Sequence, residues 1–279
     1  MSEAKPASRL SQSIFLAALI TGSMMLTAGV DIVVPAHAQQ AEQPTVAKLP
    51  FSKRLKLAKA GDDEAQVFVA LAYEQGTDGR RKSLVKAAQW YRKAAKTGNI
   101  EAQYRLARIV HNGGKGIKAS PEIAAQLYDA AARQGHLEAQ YWMGYTLQHG
   151  EGFEESIDKA VPWYEKAADA GHALAQNNIG LLYLNGKGVS RDLTKAYRFF
   201  DLSAKQDNAW AINNLGGMHE MGWGTQRDEL KALEQYKRAA ELNNAPGREN
   251  YERLESKLRR AGKLTATVNS NTDSKSSQE

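Results

Sequence analysis

The sequence predicts an all-α protein, folded as an α/α superhelical solenoid of helix-turn-helix repeats. The clearest sign is a pattern that begins with alanine and recurs at intervals of 37, 37, 36 and 36 residues. The five starting positions are Ala65, Ala102, Ala139, Ala175 and Ala211. A period of this length is typical of repeat arrays, in which each unit buries its apolar side only against its neighbours.

A column of glycines, one at the same position of each repeat, predicts where the first helix ends. The column is Gly76, Gly113, Gly150, Gly186 and Gly222. Because glycine adopts positive φ without steric cost, it is the usual residue just after a helix. The run Gly186-Lys187-Gly188 is therefore predicted to be a turn between helices. A phosphate-binding loop is the alternative, but such a loop follows a strand and continues into Lys-Ser or Lys-Thr.

A second helix is predicted in each repeat, beginning at a residue suited to cap it. The caps are Ser83, Ser120, Ser156, Asp192 and Asp228, whose side chains accept hydrogen bonds from free amides. Small and aromatic residues follow at helical spacing, including Trp90-Tyr91, Leu127-Tyr128, Trp163-Tyr164, Phe199-Phe200 and Gln235-Tyr236. Pro162 lies inside one of these helices and removes a backbone hydrogen bond, so we expect a kink or a later helix start there.

The two ends of the chain are predicted to differ from the repeats. Residues 1–38 have the pattern of a secretory signal peptide, with Lys5 and Arg9 before an apolar stretch and Ala36-His37-Ala38 as the cleavage site. We expect a linker at 39–50, a half-repeat helix at 51–60, five repeats at 61–245, a capping helix at 246–261 and a disordered tail at 262–279. A retained membrane anchor is the alternative to cleavage after Ala38.

Composition disfavours several other classes. Along most of the chain Lys and Arg are interleaved with Asp and Glu, and the net charge is +6. This pattern is typical of solvated helix faces and does not favour nucleic-acid binding. The chain contains no cysteine, so it can form neither a disulfide nor a lipid-modified cysteine. After signal cleavage we expect a periplasmic protein that does not insert into the membrane.

The repeats resemble the Sel1-like repeat family, whose members are longer relatives of the tetratricopeptide repeat. In the fourth repeat the resemblance rests on Ala175, Ile179-Gly180, Tyr183, Gly186-Lys187-Gly188-Val189, Asp192, Lys195-Ala196 and Phe199-Phe200. This resemblance implies a solenoid that acts as a protein-binding scaffold or regulator, with no cofactor.

The whole chain is also similar to the periplasmic negative regulators of exopolysaccharide synthesis in rhizobia. The signal peptide, the size of the array, the lack of cysteine and the short polar tail carry this similarity. It implies a non-enzymatic regulator whose partner is the periplasmic domain of a membrane sensor histidine kinase, which the regulator holds inactive. An envelope scaffold or chaperone-like adaptor is the alternative.

The binding surface is expected on the first helices, which line the concave face of tetratricopeptide-like superhelices. Eight residues are candidates for protein binding: Tyr104, Arg108, Tyr141, Tyr145, Asn177, Trp210, Asn213 and Trp223. Aromatic, arginine and amide side chains suit a protein interface, and the two asparagines are candidates to hold a peptide backbone. The alternative is that the tyrosines only fill the wall of the groove.

Two sequence motifs keep an enzyme as an alternative to a binding protein. Ser156-Ile157-Asp158-Lys159 matches the S-x-x-K of penicillin-recognising serine enzymes, and Lys96-Thr97-Gly98 matches their K-T-G. Their order along the chain is reversed here, and both are also explained as helix ends. The histidines, including His136 and His172, lack metal-ligand spacing and are expected at the surface.

Overall fold

The computed structural model describes residues 45–264, and all regular structure within this range is helical. A 3-10 turn at Val46–Lys48 precedes the helices α1 (Phe51–Ala60), α2 (Asp63–Gln75), α3 (Leu84–Lys96), α4 (Ile100–Asn112), α5 (Pro121–Arg133), α6 (Leu137–His149), α7 (Ile157–Asp169), α8 (Ala173–Asn185), α9 (Leu193–Ala204), α10 (Ala209–Met221), α11 (Glu229–Glu241) and α12 (Ala245–Arg260). Each helix packs chiefly on the next one along the chain, so the predicted all-α solenoid is confirmed. The predicted signal peptide and most of the predicted tail lie outside the described residues.

The glycine column has its predicted role. All five glycines follow the last residue of a first helix, with φ between 64° at Gly113 and 77° at Gly76. In the run that resembles a phosphate loop, Gly186 caps α8 and Gly188 approaches the preceding repeat. A Cβ added at Gly188 would lie 2.7 Å from Ile157 Cγ2. The run therefore turns the chain and packs the turn on the start of α7.

The predicted caps of the second helices are confirmed. Ser83, Ser120, Ser156, Asp192 and Asp228 each accept a hydrogen bond from a backbone amide in the first turn. These bonds satisfy amides that have no partner within the helix.

Pro162 does not delay the start of its helix. α7 begins at Ile157, directly after its Ser156 cap, and continues without interruption to Asp169, so the expected later start is wrong. Pro162 lies on the exposed side of α7, while Val161 and Tyr164 are buried against the rest of the array. Packing of the apolar stripe thus holds the helix together despite the missing backbone hydrogen bond.

One aromatic ring per repeat fills the space between the two helices. These rings, at most 3% exposed, belong to Tyr91, Tyr128, Tyr164, Phe200 and Tyr236. In the last three repeats the ring lies on Gly144, Gly180 or Gly216, where an added Cβ would be 2.8, 2.8 or 2.7 Å from the nearest ring atom. Glycine therefore lets the ring touch the backbone of the first helix.

A glutamine joins each of the first four repeats to the helix before it. The amide nitrogens of Gln66, Gln103, Gln140 and Gln176 donate to a carbonyl near the end of that helix at 3.1, 3.5, 3.3 and 3.0 Å. Ile212 replaces the glutamine in the fifth repeat, and there Arg238 Nη2 donates to the equivalent carbonyl, that of Ala204, at 3.0 Å. This contact, which our sequence analysis missed, satisfies a helix-terminal carbonyl between repeats.

Both ends of the array are covered. α12 buries Leu254 and Leu258, each at most 1% exposed, against the last repeat. Packing continues past the expected start of the tail, because Leu264 contacts the same cluster. At the other end Val46, within the expected linker, packs against α1 and α2.

Candidate protein-binding site

The first helices α2, α4, α6, α8 and α10 place equivalent residues of successive repeats next to one another. We call their common exposed side the first-helix surface. Tyr104 stacks on His136 of the next repeat with ring centroids 4.3 Å apart, and Tyr141 stacks on His172 in the same way at 4.6 Å. Two of the predicted tyrosines therefore contact the start of the following first helix.

His136 and His172 are half-buried helix caps, a role that our sequence analysis did not assign to them. Their Nδ1 atoms accept hydrogen bonds from the amides of Ala139 and Ala175 at 3.3 and 3.2 Å. Asp or Asn occupies this position in the other first helices. Burial lowers the pKa of His172 below its ordinary value of 6.5, which favours the neutral ring that a cap requires.

His136 also joins two repeats through its second nitrogen. Since Nδ1 accepts a hydrogen bond, Nε2 carries the proton and donates to Glu101 Oε2 at 3.2 Å. This hydrogen bond and the ion pair with Arg105 lower the pKa of Glu101 to about 2, against the opposing effect of burial. The ring of His136 is thus held on both sides, and Tyr104 stacks on a fixed surface.

An aromatic patch occupies the middle of the first-helix surface. Its members are Tyr104, His111, His136, Tyr141, Trp142, Tyr145, His149 and His172. Trp142 lies 5.3 Å from Tyr145 and 5.6 Å from Tyr141 between ring centroids, and Tyr145 lies 4.3 Å from His149. All eight side chains keep some exposure, so the patch is a preassembled apolar surface with polar edges.

The predicted binding residues left out Trp142 and the four histidines of the aromatic patch. Trp142 stands one residue after Tyr141, outside the positions expected to face the groove. Its column contains Phe68 in the first repeat and Arg105, Asn178 and Asn214 in the others, so the change from the polar residues of the two neighbouring repeats to a large aromatic residue was the available signal.

The two asparagines in the predicted site connect repeats. Asn177 is 7% exposed; its Oδ1 accepts from Asn214 Nδ2 at 3.0 Å, and its Nδ2 donates to Asn178 Oδ1 at 3.4 Å. Asn213 Oδ1 accepts from Asn250 Nδ2 at 2.9 Å. The oxygen and the nitrogen of the Asn177 amide are therefore both hydrogen-bonded inside the array, and a peptide would have to compete with these bonds.

Three of the predicted residues are well exposed. Arg108 projects from α4 with Cζ 5.8 Å from the centroid of the Tyr104 ring. Trp210, at the start of α10, is 57% exposed. Trp223, in the last glycine turn, is 37% exposed, and Arg191 Cζ lies 5.8 Å from its ring centroid. These side chains border the first helices and are free to meet a partner.

The residues of the enzyme-like motifs occupy structural positions. Ser156 Oγ accepts from the Lys159 amide at 3.4 Å as the cap of α7, whereas Thr97 follows the end of α3, two repeats earlier. Within residues 45–264, no group of three His, Asp or Glu is arranged to hold a metal ion. None of the helices in the same range is both long and apolar enough to cross a bilayer.

Comparison with known sequences identifies the repeat. The profile of the Sel1 repeat matches residues 63–99, 100–136, 137–172, 173–208 and 211–244, which together make up more than half of the chain. No curated protein sequence matches the chain significantly.

Two solved structures share the architecture. A protective antigen present in uropathogenic Escherichia coli strains, displaying an SLR fold, is 34% identical with a TM-score of 0.69; the match covers 77% of this chain and 45% of the antigen. A Sel1 repeat protein from Oxalobacter formigenes is 28% identical with a TM-score of 0.64, over 76% of this chain and 89% of that protein. The chain thus spans less than half the length of the antigen.

Proposed function

Because the chain belongs to the Sel1 repeat family, whose repeats generally form non-enzymatic scaffolds that bind proteins, we propose that it is an exported regulator. In this proposal its first-helix surface binds the periplasmic domain of a membrane sensor histidine kinase that controls exopolysaccharide synthesis. Binding holds the kinase inactive.

The main support for protein binding is the aromatic patch. Its rings are fixed by stacking and by the histidine caps, so a partner that lands on it loses little side-chain entropy. Trp and Tyr are enriched among the residues that dominate binding energy. Arg108 and Trp210 extend the surface beyond the patch with exposed side chains of the same interface-forming kind.

Export and the identity of the partner rest on the sequence. Residues 1–38, which lie outside the described residues, have the features of a cleaved signal peptide. We expect mature protein in the periplasmic fraction with Gln39 as its first residue, which N-terminal sequencing tests. The similarity to the rhizobial regulators supports a sensor kinase as the partner.

Site-specific crosslinking in intact cells tests the binding surface. A photoreactive amino acid replaces Arg108 or Trp210 on the first-helix surface, and in the control it replaces Ile123, which is 52% exposed on the second helix α5. We expect mass spectrometry to identify a sensor kinase from the first two positions and not from the control. Crosslinks to cell-wall or secretion machinery would favour the adaptor function instead.

Affinity measurements with the purified periplasmic domain of that kinase show which side chains contribute to the free energy of binding. Trp210→Ala should weaken binding about 30-fold, the effect of losing a strong interface contact of about 2 kcal/mol. Leu230→Ala, on the second helix α11 and 55% exposed, should leave the affinity unchanged. Equal effects of the two substitutions would contradict the proposed surface.

A further inference from the structure

A second surface, formed by other helices, carries a concentration of positive charge. Segments 51–61 and 79–98, which contain α1 and α3, include eleven Lys or Arg and no Asp or Glu. Ten of these side chains are exposed, and the other, Arg54, is buried and paired with Asp78 at 2.5 Å. We call the ten exposed Lys and Arg of these segments the basic face.

The basic face is continuous across α1 and α3. Trp90 of α3 and Leu55 and Leu57 of α1 pack against one small apolar cluster. Just before α3, Arg80 Cζ lies 4.8 Å from the ring centroid of Phe51 on α1, and Asp78 pairs with Arg54 of α1. The two basic segments are therefore neighbours in the array.

The charge of the basic face is not neutralised within the protein. Among residues 45–264, none of its ten cations takes part in an ion pair, whereas Arg133, Arg238 and Arg253 elsewhere are paired with carboxylates. Each later second helix, α5, α7, α9 and α11, contains at least one Asp or Glu. The eleven positive charges of the two segments exceed the net charge of +6 of the whole chain. The rest of the sequence therefore contains more Asp and Glu than Lys and Arg.

We propose that the basic face docks on an anionic phospholipid bilayer. Seven of the eleven cations in these two segments are lysines. Lysine acts as a point charge, which suits a diffuse layer of lipid headgroups, whereas arginine is typical of bidentate recognition of single groups. The half-buried indole of Trp90, with Lys93 Nζ 4.1 Å from its centroid, lies among these charges. Tryptophan favours the boundary between headgroups and acyl chains. Since α1 and α3 are not first helices, this docking leaves the first-helix surface free.

The structure offers a matched pair of variants for the test. Lys86 and Lys93 on α3 occupy the same columns as Lys159 and Lys166 on α7. Lys166 Nζ lies over the Trp163 ring at 4.7 Å, much as Lys93 Nζ lies over the Trp90 ring at 4.1 Å. Unlike α3, α7 also carries three carboxylates. The double variants Lys86→Gln/Lys93→Gln and Lys159→Gln/Lys166→Gln therefore remove equal charge from equivalent positions, but only the first lies on the basic face.

Co-sedimentation of the purified chain with vesicles measures docking. We expect binding to vesicles of phosphatidylglycerol and phosphatidylcholine, weakening as salt is added, and much less binding to pure phosphatidylcholine. The first double variant should bind about 25-fold more weakly, or about 5-fold for each lysine removed. The second should bind like the wild type, and circular dichroism should show that both remain folded.

Three results would overturn the proposal. They are equal loss of binding in the two double variants, equal binding to the two kinds of vesicle, or capture of an acidic protein or nucleic acid by a wild-type chain that ignores the anionic vesicles. Because the test contains no kinase, its outcome is independent of the partner of the first-helix surface.

Discussion

Two adjacent glycines in α10, Gly216 and Gly217, allow the packing of a repeat to be tested by adding a single Cβ atom at each. At Gly216 an added Cβ would lie 2.7 Å from two ring atoms of Tyr236, whereas at Gly217 its nearest neighbour is the Tyr236 hydroxyl at 3.6 Å. Both residues lie inside the helix, and neither has positive φ. Substitution by alanine at the two positions therefore differs in the space available and in little else.

The expected effects have opposite signs. Alanine is favoured over glycine inside a helix by about 1 kcal/mol, so Gly217→Ala should stabilise the protein by about 0.5–1 kcal/mol. At Gly216 the ring cannot retreat, because Tyr236 is 3% exposed and its hydroxyl donates to Glu220 at 3.0 Å. Overpacking there costs about 1–3 kcal/mol, which cancels or exceeds the helix gain.

Urea unfolding followed by circular dichroism measures both variants. We expect Gly217→Ala to be the more stable by about 1–3 kcal/mol, with an unchanged dependence on urea concentration. Hydrogen exchange should show the loss in Gly216→Ala concentrated in α10 and α11. If Gly216→Ala were as stable as Gly217→Ala, the ring would not need glycine beneath it, and our account of the repeat core would be wrong.

Three further predictions concern buried polar groups. Tyr128→Phe should be neutral or stabilising, because this buried hydroxyl has no hydrogen-bond partner among residues 45–264. Tyr236→Phe should cost about 1.5–3 kcal/mol, because it removes the hydrogen bond to the Glu220 carboxylate. Urea unfolding of the two variants measures the difference. Gln176→Leu should cost about 0.5–1.5 kcal/mol, since the Ala168 carbonyl loses its side-chain donor from the next repeat and keeps only the Gly171 amide; a variant as stable as the wild type would contradict that role. Burial lowers the pKa of His172 below 6.5, so the unfolded chain binds a proton more readily than the folded one. The free energy of unfolding should therefore fall as pH drops from about 6.5 through the folded pKa, by at most about 1.4 kcal/mol per pH unit. Thermal unfolding across this range should show a weaker pH dependence for His172→Asn, which keeps a cap but does not titrate.

The repeat could be predicted because its backbone sets local requirements. A glycine after a helix and a Ser or Asp before one are needed at every turn, and five copies of each requirement stand at fixed spacing. Such positions depend only on neighbours in sequence. The fold class, the glycine column and the second-helix caps were therefore all accessible without a structure.

Contacts between repeats were less accessible, because they join residues about 36 positions apart. The histidine caps are an example: Asp and Asn are the usual caps, and an imidazole takes this role here because the preceding repeat provides Tyr141 for His172 to stack on. Asn177 was assigned to the correct side of its helix, but the sequence did not reveal that Asn214 covers it. A helical periodicity identifies the residues on one face and leaves open which of them the next helix buries.

Differences between repeats locate function better than their similarities do. Positions that form the interior must resemble one another in size, as the five buried rings and the small residues facing them do. A position that packing does not restrict is free to change in size and charge from one repeat to the next. Trp142 stands where neighbouring repeats have arginine or asparagine, and Trp210 stands where earlier repeats have glutamate or leucine. Trp142 stacks on the buried Tyr128 ring and so contributes to packing, but the 57% exposure of Trp210 places a costly apolar surface in water unless a partner covers it.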